Sequence, residues 1–212
     1  ARQRLQAHIR FGTIPSAIEA ATRILSSLAQ EHPGAQTSLE TGLTSEDIVT
    51  KLRQHTLDAG LIHPSAADSP DLLATPLYED RAIVVQSMNP NVSPPEQLTG
   101  RELAELPLGL LAPQMRAREI LDAQLLDHQV VLSPRFEADS VEALLAFARC
   151  GPWSVVLPDS TAAAVHGSDD LVAIPLVEPE VLMPIALVRL RDEPLSAVSE
   201  GIARATRDAM NP

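Results

Sequence analysis

The fold of this 212-residue chain is decided by the stretch Arg10-Phe11-Gly12-Thr13-Ile14-Pro15-Ser16-Ala17-Ile18-Glu19. The stretch predicts a short strand, a tight turn and the first turn of a helix. Gly12 allows the bend because it has no Cβ, and Pro15 suits a helix entry, where its missing N–H is not needed. Ser16 is a candidate N-cap, and Glu19 follows three residues later, so the two spell a capping box.

Two interpretations of this helix start stay open. In the simpler one, Ser16 only closes the helix. In the other, the Ser16 hydroxyl and the free backbone N–H groups of the first turn face a ligand. The second is chemically reasonable because helix N-termini favour anions through the macrodipole and their unpaired donors.

The same pattern continues along the first part of the chain. Apolar residues recur at helical spacing over residues 16–31, and a second helix is expected near 46–52. Strands are expected at 37–41 and 56–62. A strand-helix-strand-helix-strand order predicts a parallel sheet flanked by helices.

A second α/β unit follows a Pro-rich segment. Two separate strands are expected before that segment, with Glu79 and Asp80 between them. Beyond it, Asp139 is expected to cap a helix, with Glu142 as its capping-box partner. The other expected elements are strands at 73–78, 81–87, 107–111, within 130–136, 153–157, 171–176 and 181–190, and helices at 117–127, 161–165 and 194–210.

The charge of the chain excludes one class of function. Acidic residues outnumber basic ones, 28 against 16, and the net charge is −12. Nucleic-acid binding draws its affinity from Lys and Arg side chains that neutralise phosphates, and this sequence has no basic run. Aromatic residues make up only 2%, which argues against a stacking platform for single strands. These residues are therefore not expected to bind nucleic acid or an anionic membrane by themselves.

Catalytic and metal-binding motifs do not occur in the sequence. It has no nucleophile elbow, phosphate-binding glycine loop or His-Glu-x-x-His motif, and its six histidines are scattered. Its single cysteine, Cys150, allows no intramolecular disulfide, which fits a reduced, cytoplasmic setting. We expect no enzyme activity, no metal and no cofactor. His63 and Asp139 are the candidates for a general acid or base, should one exist.

Several helix starts carry a hydroxyl or a carboxylate. Because ligands of open α/β sheets bind at the carboxyl ends of strands, these side chains together suggest a cleft, although each alone is explained by capping. Glu46 and Asp47 would disfavour a strongly anionic ligand there. Arg116 and Arg118 are candidate counter-charges, with Arg118 the one expected to be solvated. The helix-start residues are Thr13, Ser16, Thr44, Ser45, Asp139 and Ser140.

The order of these short motifs resembles the effector-binding domain of LysR-type transcriptional regulators, over residues 8–210. Two departures are visible: Trp153 stands where the family usually has a glycine, and Met88-Asn89-Pro90 replace its usual basic or His-Pro residues. The segments that carry the resemblance are Ile9-Arg10-Phe11-Gly12-Thr13-Ile14-Pro15-Ser16, His32-Pro33-Gly34, Gly42-x-Thr44-Ser45, Leu57-Asp58-Ala59-Gly60-Leu61 and Gly151-Pro152-Trp153-Ser154-Val155-Val156-Leu157-Pro158.

The resemblance implies the fold of type 2 periplasmic binding proteins, an α/β fold of two Rossmann-like lobes joined by two crossover strands. Residues 1–85 and 163–212 would form the first lobe and residues 86–162 the second. A small, anionic metabolite would bind between the lobes to control transcription. The implied ligand contacts are Thr13, Ser16, Thr44, Ser45, Pro113, Gln114, Met115, Arg116 and Asp139.

The resemblance also implies partners. DNA would be bound only through an N-terminal winged helix-turn-helix that is not in this sequence, and the protein would be a cytoplasmic homodimer or homotetramer without membrane contact. We expect the helix at 16–31 to face the helix at 117–127 of a second copy, with Leu28 and Leu125 as the residues to mutate.

Two other functions stay open at this point. A stand-alone solute-binding protein of a transporter shares the fold, and a signal peptide would then precede these residues instead of a helix-turn-helix. An enzyme on the same fold would need an acid or base in the cleft, and turnover of a bound ligand would identify it.

Overall fold

The computed structural model describes residues 7–89, 93–161, 165, 168–191 and 196–210. Contacts divide the chain into two compact units, one made of Ala1–Tyr78 with Pro184–Pro212 and the other of Glu79–Met183. The predicted α/β class is confirmed. The lobe boundaries expected from the sequence, after residues 85 and 162, stay a prediction.

The first unit is a small, mainly parallel sheet with helices packed on it. Its strand order is β2-β1-β3-β10, where the three N-terminal strands are parallel and β10 is antiparallel to β3. Apolar residues at helical spacing, Ile24 and Leu28 among them, bury one face of α1 against the core. The elements are β1 (His8–Thr13), α1 (Ile18–Glu31), β2 (Gln36–Glu40), α2 (Ser45–Arg53), β3 (Ala59–Ile62), β10 (Leu182–Leu190) and α6 (Ala197–Met210).

Two paired glycines let α2 lie close to the sheet of this unit. Gly12 and Gly60 are register partners on β1 and β3. A Cβ on Gly60 would lie 2.9 Å from the Gly12 carbonyl oxygen and 2.6 Å from Cγ2 of Ile48. Since Ile48 is a core residue of α2, a side chain at position 60 would push the helix and strand apart.

The second unit repeats the α/β plan with a more mixed sheet. Its strand order is β4-β8-β6-β7, with β6 parallel to both of its neighbours and β4 antiparallel to β8. β9 pairs with β4, and β5 pairs with β9. The elements are β4 (Leu72–Ser87), β5 (Leu98–Thr99), α3 (Gly100–Ala104), β6 (Leu108–Leu111), α4 (Arg116–Asp127), β7 (Phe136–Ala138), α5 (Val141–Arg149), β8 (Ser154–Pro158) and β9 (Leu171–Val177).

The chain passes between the units inside two strands, β4 and β10. The expectation of two strands separated by Glu79 and Asp80 is therefore wrong, because β4 runs without a break. The Asp80 side chain is buried, and its Oδ1 accepts hydrogen bonds from the backbone N–H groups of Arg81 and Ser160, both at 3.0 Å. Glu79 and Asp80 thus lie within strand β4 and do not end it.

Three other expected elements differ from the structure. The strand expected within 130–136 begins only at Phe136, where pairing with Gly109 of β6 starts. The helix expected at 161–165 involves residues 162–164, which lie outside the described residues, as does His166. The helix expected from residue 194 begins at Ala197, and residues 192–195 also lie outside the described part.

Both capping boxes expected from the sequence are wrong. A 3₁₀ turn at Pro15–Ala17 precedes α1, so Ser16 lies inside that turn and Ala17 becomes the N-cap, without a side-chain cap bond. At α5 the cap is Ser140, whose Oγ accepts from the Ala143 N–H at 3.0 Å. Asp139 is one residue too early to cap and is exposed.

Candidate functional site

In the first unit, several of the predicted site residues meet at the carboxyl edge of the sheet. β1 and β3 end side by side, with Thr13 paired to Leu61. Ser16 lies in the turn after β1, and α2 begins at Ser45 next to its N-cap Thr44. The Ser45 hydroxyl accepts a hydrogen bond from the His63 N–H at 3.2 Å, which joins the start of α2 to the end of β3.

Thr13, Ser45 and His63 form a buried layer beneath this edge. The Thr13 hydroxyl donates to the Ile14 carbonyl oxygen at 3.1 Å. Nδ1 of His63 lies 3.0 Å from the Pro184 carbonyl oxygen, and because a carbonyl can only accept, this nitrogen carries the proton. These side chains hold the backbone of the edge in place, and their contact with a ligand stays a prediction.

Thr44 is fully engaged in a capping box with Asp47. Its Oγ1 accepts from the Asp47 N–H at 3.1 Å and donates to the Asp47 carboxylate at 2.8 Å, while its own N–H donates to that carboxylate at 3.0 Å. The bonds from the Thr44 backbone and hydroxyl lower the pKa of Asp47. The carboxylate therefore stays ionised at the positive end of the helix dipole.

In the second unit, the other predicted residues meet at a second carboxyl edge. Leu111 at the end of β6 pairs with Ala138 at the end of β7, and the Ala112 N–H donates to the Ala138 carbonyl at 2.7 Å. The loop that follows β6 leads into α4, and Asp139 directly follows β7. Pro113, Gln114 and Asp139 are exposed, Arg116 is half-buried and Met115 is buried.

The two candidate counter-charges behave differently from the expectation. Arg118, expected to be solvated, is buried and donates at 2.8 Å to the Leu111 carbonyl oxygen, to Asp122 and to Glu137. Arg116 remains half-exposed and pairs with Glu119 one turn along α4. The role of Arg118 is thus to join α4 to the ends of β6 and β7.

Sequence reasoning did not predict that Arg118 and Asp80 are buried. Burial away from water raises the pKa of Asp80, and the charge of Asp159 adds to the effect, against the hydrogen bonds from Ser160 and Arg81. Its Oδ2 has no hydrogen-bond partner. The one available signal for Arg118 was an acid four residues later, Asp122, at the spacing of a helical ion pair.

Other chemistries find little support in the part of the chain that the structure describes. No group of three or more His, Cys, Asp or Glu side chains there could hold a metal ion. No described helix is long and apolar enough to cross a bilayer. His63 and Asp139, the candidate acid or base residues, belong to different units.

Comparisons with known proteins agree with this architecture. The family model of the LysR substrate binding domain matches residues 2–211, and no curated protein matches the chain. The regulatory domain of Synechocystis PCC6803 CcmR in complex with 2-PG is similar in structure, with a TM-score of 0.82, 18% identity, and coverage of 97% of this chain and 98% of that one.

Two further structures have comparable similarity. The reduced form of OxyR gives a TM-score of 0.79 at 21% identity and covers 96% of each chain. Full-length CbnR in complex with its target DNA gives 0.78 at 16% identity, covering 97% of this chain and 69% of that one. At these identities the likeness shows the fold alone.

Proposed function

The chain belongs to the LysR substrate binding domain family, and from this premise we propose that a small anionic metabolite bound to it controls a LysR-type transcription regulator. The family that the short motifs predicted is thereby confirmed. The observation that carries the function is the family match over residues 2–211. In this proposal the two carboxyl edges, Thr13 to Ser16 with Thr44 and Ser45, and Pro113 to Arg116 with Asp139, supply the ligand contacts.

The helix starts support an anionic ligand. Among the described helices α1 to α5, side-chain caps close α2, α3 and α5, through Thr44, Thr99 and Ser140. In this described set, α1 and α4 begin without a side-chain cap bond. These two helices are the next helices after β1 and β6, where ligand contacts are proposed. Helix N-termini whose donors lack a side-chain cap are favourable places for carboxylate or phosphate oxygens.

Regulation would follow from differential affinity. A ligand shifts a conformational equilibrium only as far as it binds one arrangement more tightly than the other. In the proposed mechanism that shift reaches a DNA-binding module outside these residues, in the cytoplasm. The alternative hypothesis, a solute-binding protein of a transporter, predicts a signal peptide upstream. The sequence that encodes the preceding residues therefore distinguishes this hypothesis from the transcription regulator.

A thermal-shift screen against a library of small metabolites, weighted toward carboxylates and phosphate esters, tests the ligand site. A ligand that binds only the folded chain raises its melting temperature by mass action. We expect the shift from a hit to disappear in Ser16→Ala and to fall in Thr44→Ala. A shift that survives both substitutions contradicts the proposed site, and hits confined to neutral or cationic compounds contradict the proposed ligand class.

Thr44→Ala needs a control because it also removes a helix cap, at a cost of about 1 kcal/mol. Thr99→Ala provides it. Thr99 forms the same capping box with Glu102 at the start of α3 and is not among the proposed ligand contacts. We expect Thr99→Ala to lower the melting temperature about as much as Thr44→Ala, while the ligand-induced shift stays at its full size.

We also propose self-association through α1 and α4. Leu28 and Leu125, the residues expected as contacts, are fully buried, so substituting them would test folding instead. Leu126 and Val131 are 62% and 70% exposed and line a shallow apolar groove beside α4. Such exposed apolar side chains mark interaction surfaces.

Leu126→Asp tests this surface. We expect it to weaken the dimer in sedimentation velocity without lowering the melting temperature of the monomer. Leu125→Ala serves as the contrast, because truncating a fully buried leucine costs about 2–5 kcal/mol of folding stability. A wild-type chain that stays monomeric at high concentration, or a Leu126→Asp dimer as tight as wild type, contradicts the proposal.

A further inference from the structure

A cavity of about 420 Å³ lies in the second unit, at the end of its sheet opposite to the loop 113–116. Ser154 begins β8 and pairs with Leu108 at the start of β6, so the cavity next to Ser154 is at the amino ends of these strands. The loop 113–116 follows their carboxyl end. The cavity is lined by Gln86, Ser87, Met88, Asn89, Pro152 and Trp153.

One wall of the cavity is a fixed aromatic ring. The Trp153 indole stacks on Phe147 with ring centres 4.7 Å apart and 26° between planes, and Phe147 stacks on Phe136 at 4.2 Å and 13°. The chain has only five aromatic residues, three Phe, one Tyr and one Trp, and three of them form this column. Gly151 lies against the indole, since a Cβ there would be 3.0 Å from Nε1.

The polar wall is also held in place. Nε2 of Gln86 donates to the hydroxyl of buried Ser154 at 2.7 Å, and the Ser87 hydroxyl donates to the Gly151 carbonyl oxygen at 3.0 Å. These bonds fix both side chains, and the Gln86 carboxamide carries an acceptor oxygen besides the bound donor. None of the six lining residues is charged.

We propose that this cavity is a second ligand site, for a neutral planar aromatic or heteroaromatic compound that carries a carboxamide. The ring of the ligand would stack on Trp153, as aromatic pairs do in offset geometry, and its amide would pair with the Gln86 carboxamide. An anion is disfavoured because the lining offers no cation and the net charge is −12. A cation is disfavoured because a single ring makes no aromatic cage. The volume lies within the range of small-molecule pockets, about 300–1,000 Å³.

Titrating benzamide into the 212-residue chain tests this proposal. Binding is followed by NMR through the indole N–H resonance of Trp153, which is the one tryptophan of the sequence. We expect a saturable shift. Cyclohexanecarboxamide, which keeps the amide but has no π face, and benzoate, which keeps the ring but is charged, are expected to bind about tenfold more weakly or not at all, as loss of stacking or charge mismatch requires.

Two variants and one control locate the site. Gln86→Leu is expected to weaken benzamide about fivefold through the lost amide pairing. Gln54→Leu, the same change at an exposed position after α2 in the first unit, is expected to leave binding unchanged. Met88 is half-exposed, so Met88→Lys is tolerated by the fold and is expected to make benzoate bind. A benzamide shift that does not saturate, equal binding of cyclohexanecarboxamide, or equal binding to wild type and Gln86→Leu overturns the proposal.

Discussion

Replacing Arg118 by methionine removes the buried charge that joins α4 to the sheet of the second unit. Methionine keeps most of the apolar stem, so the loss is mainly of hydrogen bonds. The bond to the buried Leu111 carbonyl, at 2.8 Å, is worth about 1.5–3 kcal/mol because the donor is charged. Asp122 and Glu137 are 44% and 42% exposed, so each of those pairs adds only about 0–1 kcal/mol. We expect a loss of about 2–4 kcal/mol in the free energy of unfolding.

Urea denaturation followed by Trp153 fluorescence measures this loss, since Trp153 lies in the same unit. Arg116→Met is the matched control, two positions earlier on the same helix. Its ion pair with Glu119 is half-exposed, so breaking that pair is expected to cost about 0.2–0.5 kcal/mol. Equal losses in the two variants, or a loss below about 1 kcal/mol for Arg118→Met, would refute the assignment of Arg118 as a buried clamp.

Two further predictions concern buried positions in the two strands β3 and β4. Because burial raises the pKa of Asp80 in the folded protein, the folded state loses stability as the pH rises above the pKa of an unfolded aspartate, about 3.9. Asp80→Asn is therefore expected to gain stability relative to wild type between about pH 4 and 7. Urea denaturation at a series of pH values measures this gain, and parallel pH profiles for the two proteins would contradict it. Gly60→Ala is expected to cost about 2 kcal/mol or more, because its Cβ would meet the Gly12 carbonyl oxygen. Gly42→Ala is the comparison: Gly42 has open space around it but a φ of +72°, so backbone strain alone is expected to cost about 1–2 kcal/mol. A Gly60→Ala protein that melts at the same temperature as wild type would refute the close approach of Gly60 to Gly12.

Hydrophobic periodicity predicted most of the elements because it reports which face of a segment is buried. The strands β1, β2 and β3 and the helices α1 and α2 were all expected within a few residues of their observed bounds. One failure came where polar residues were treated as a break in a strand. Asp80 did not end β4, because backbone N–H groups from two segments satisfy its carboxylate, and one of these segments is far away in sequence.

The candidate site was harder to predict, since burial of a charge depends on distant partners. The local signal that distinguishes Arg118 from Arg116 is Asp122, four residues later, and an ion pair along a helix does not by itself predict burial. The acceptors that bury Arg118 include the Leu111 carbonyl and Glu137, and the latter arrives from a strand 19 residues further along the chain. Periodicity contains no information about such a pair, which is why the expectation that Arg118 is the solvated arginine was wrong.

The helices of this chain differ in whether a side chain caps their N-terminus. At Thr44 the predicted cap forms, and the hydroxyl both accepts from and donates to Asp47. At Ser16 the expected capping box does not form, because Pro15 starts a 3₁₀ turn and moves the start of α1 to Ile18. The helix therefore begins without a side-chain cap, as α4 does. Where a helix end is not capped by its own side chains, a ligand oxygen can take that role. The missing side-chain cap at the start of α1 is thus an argument for the proposed effector site, and the cap that Thr44 forms with Asp47 predicts the smaller effect for Thr44→Ala.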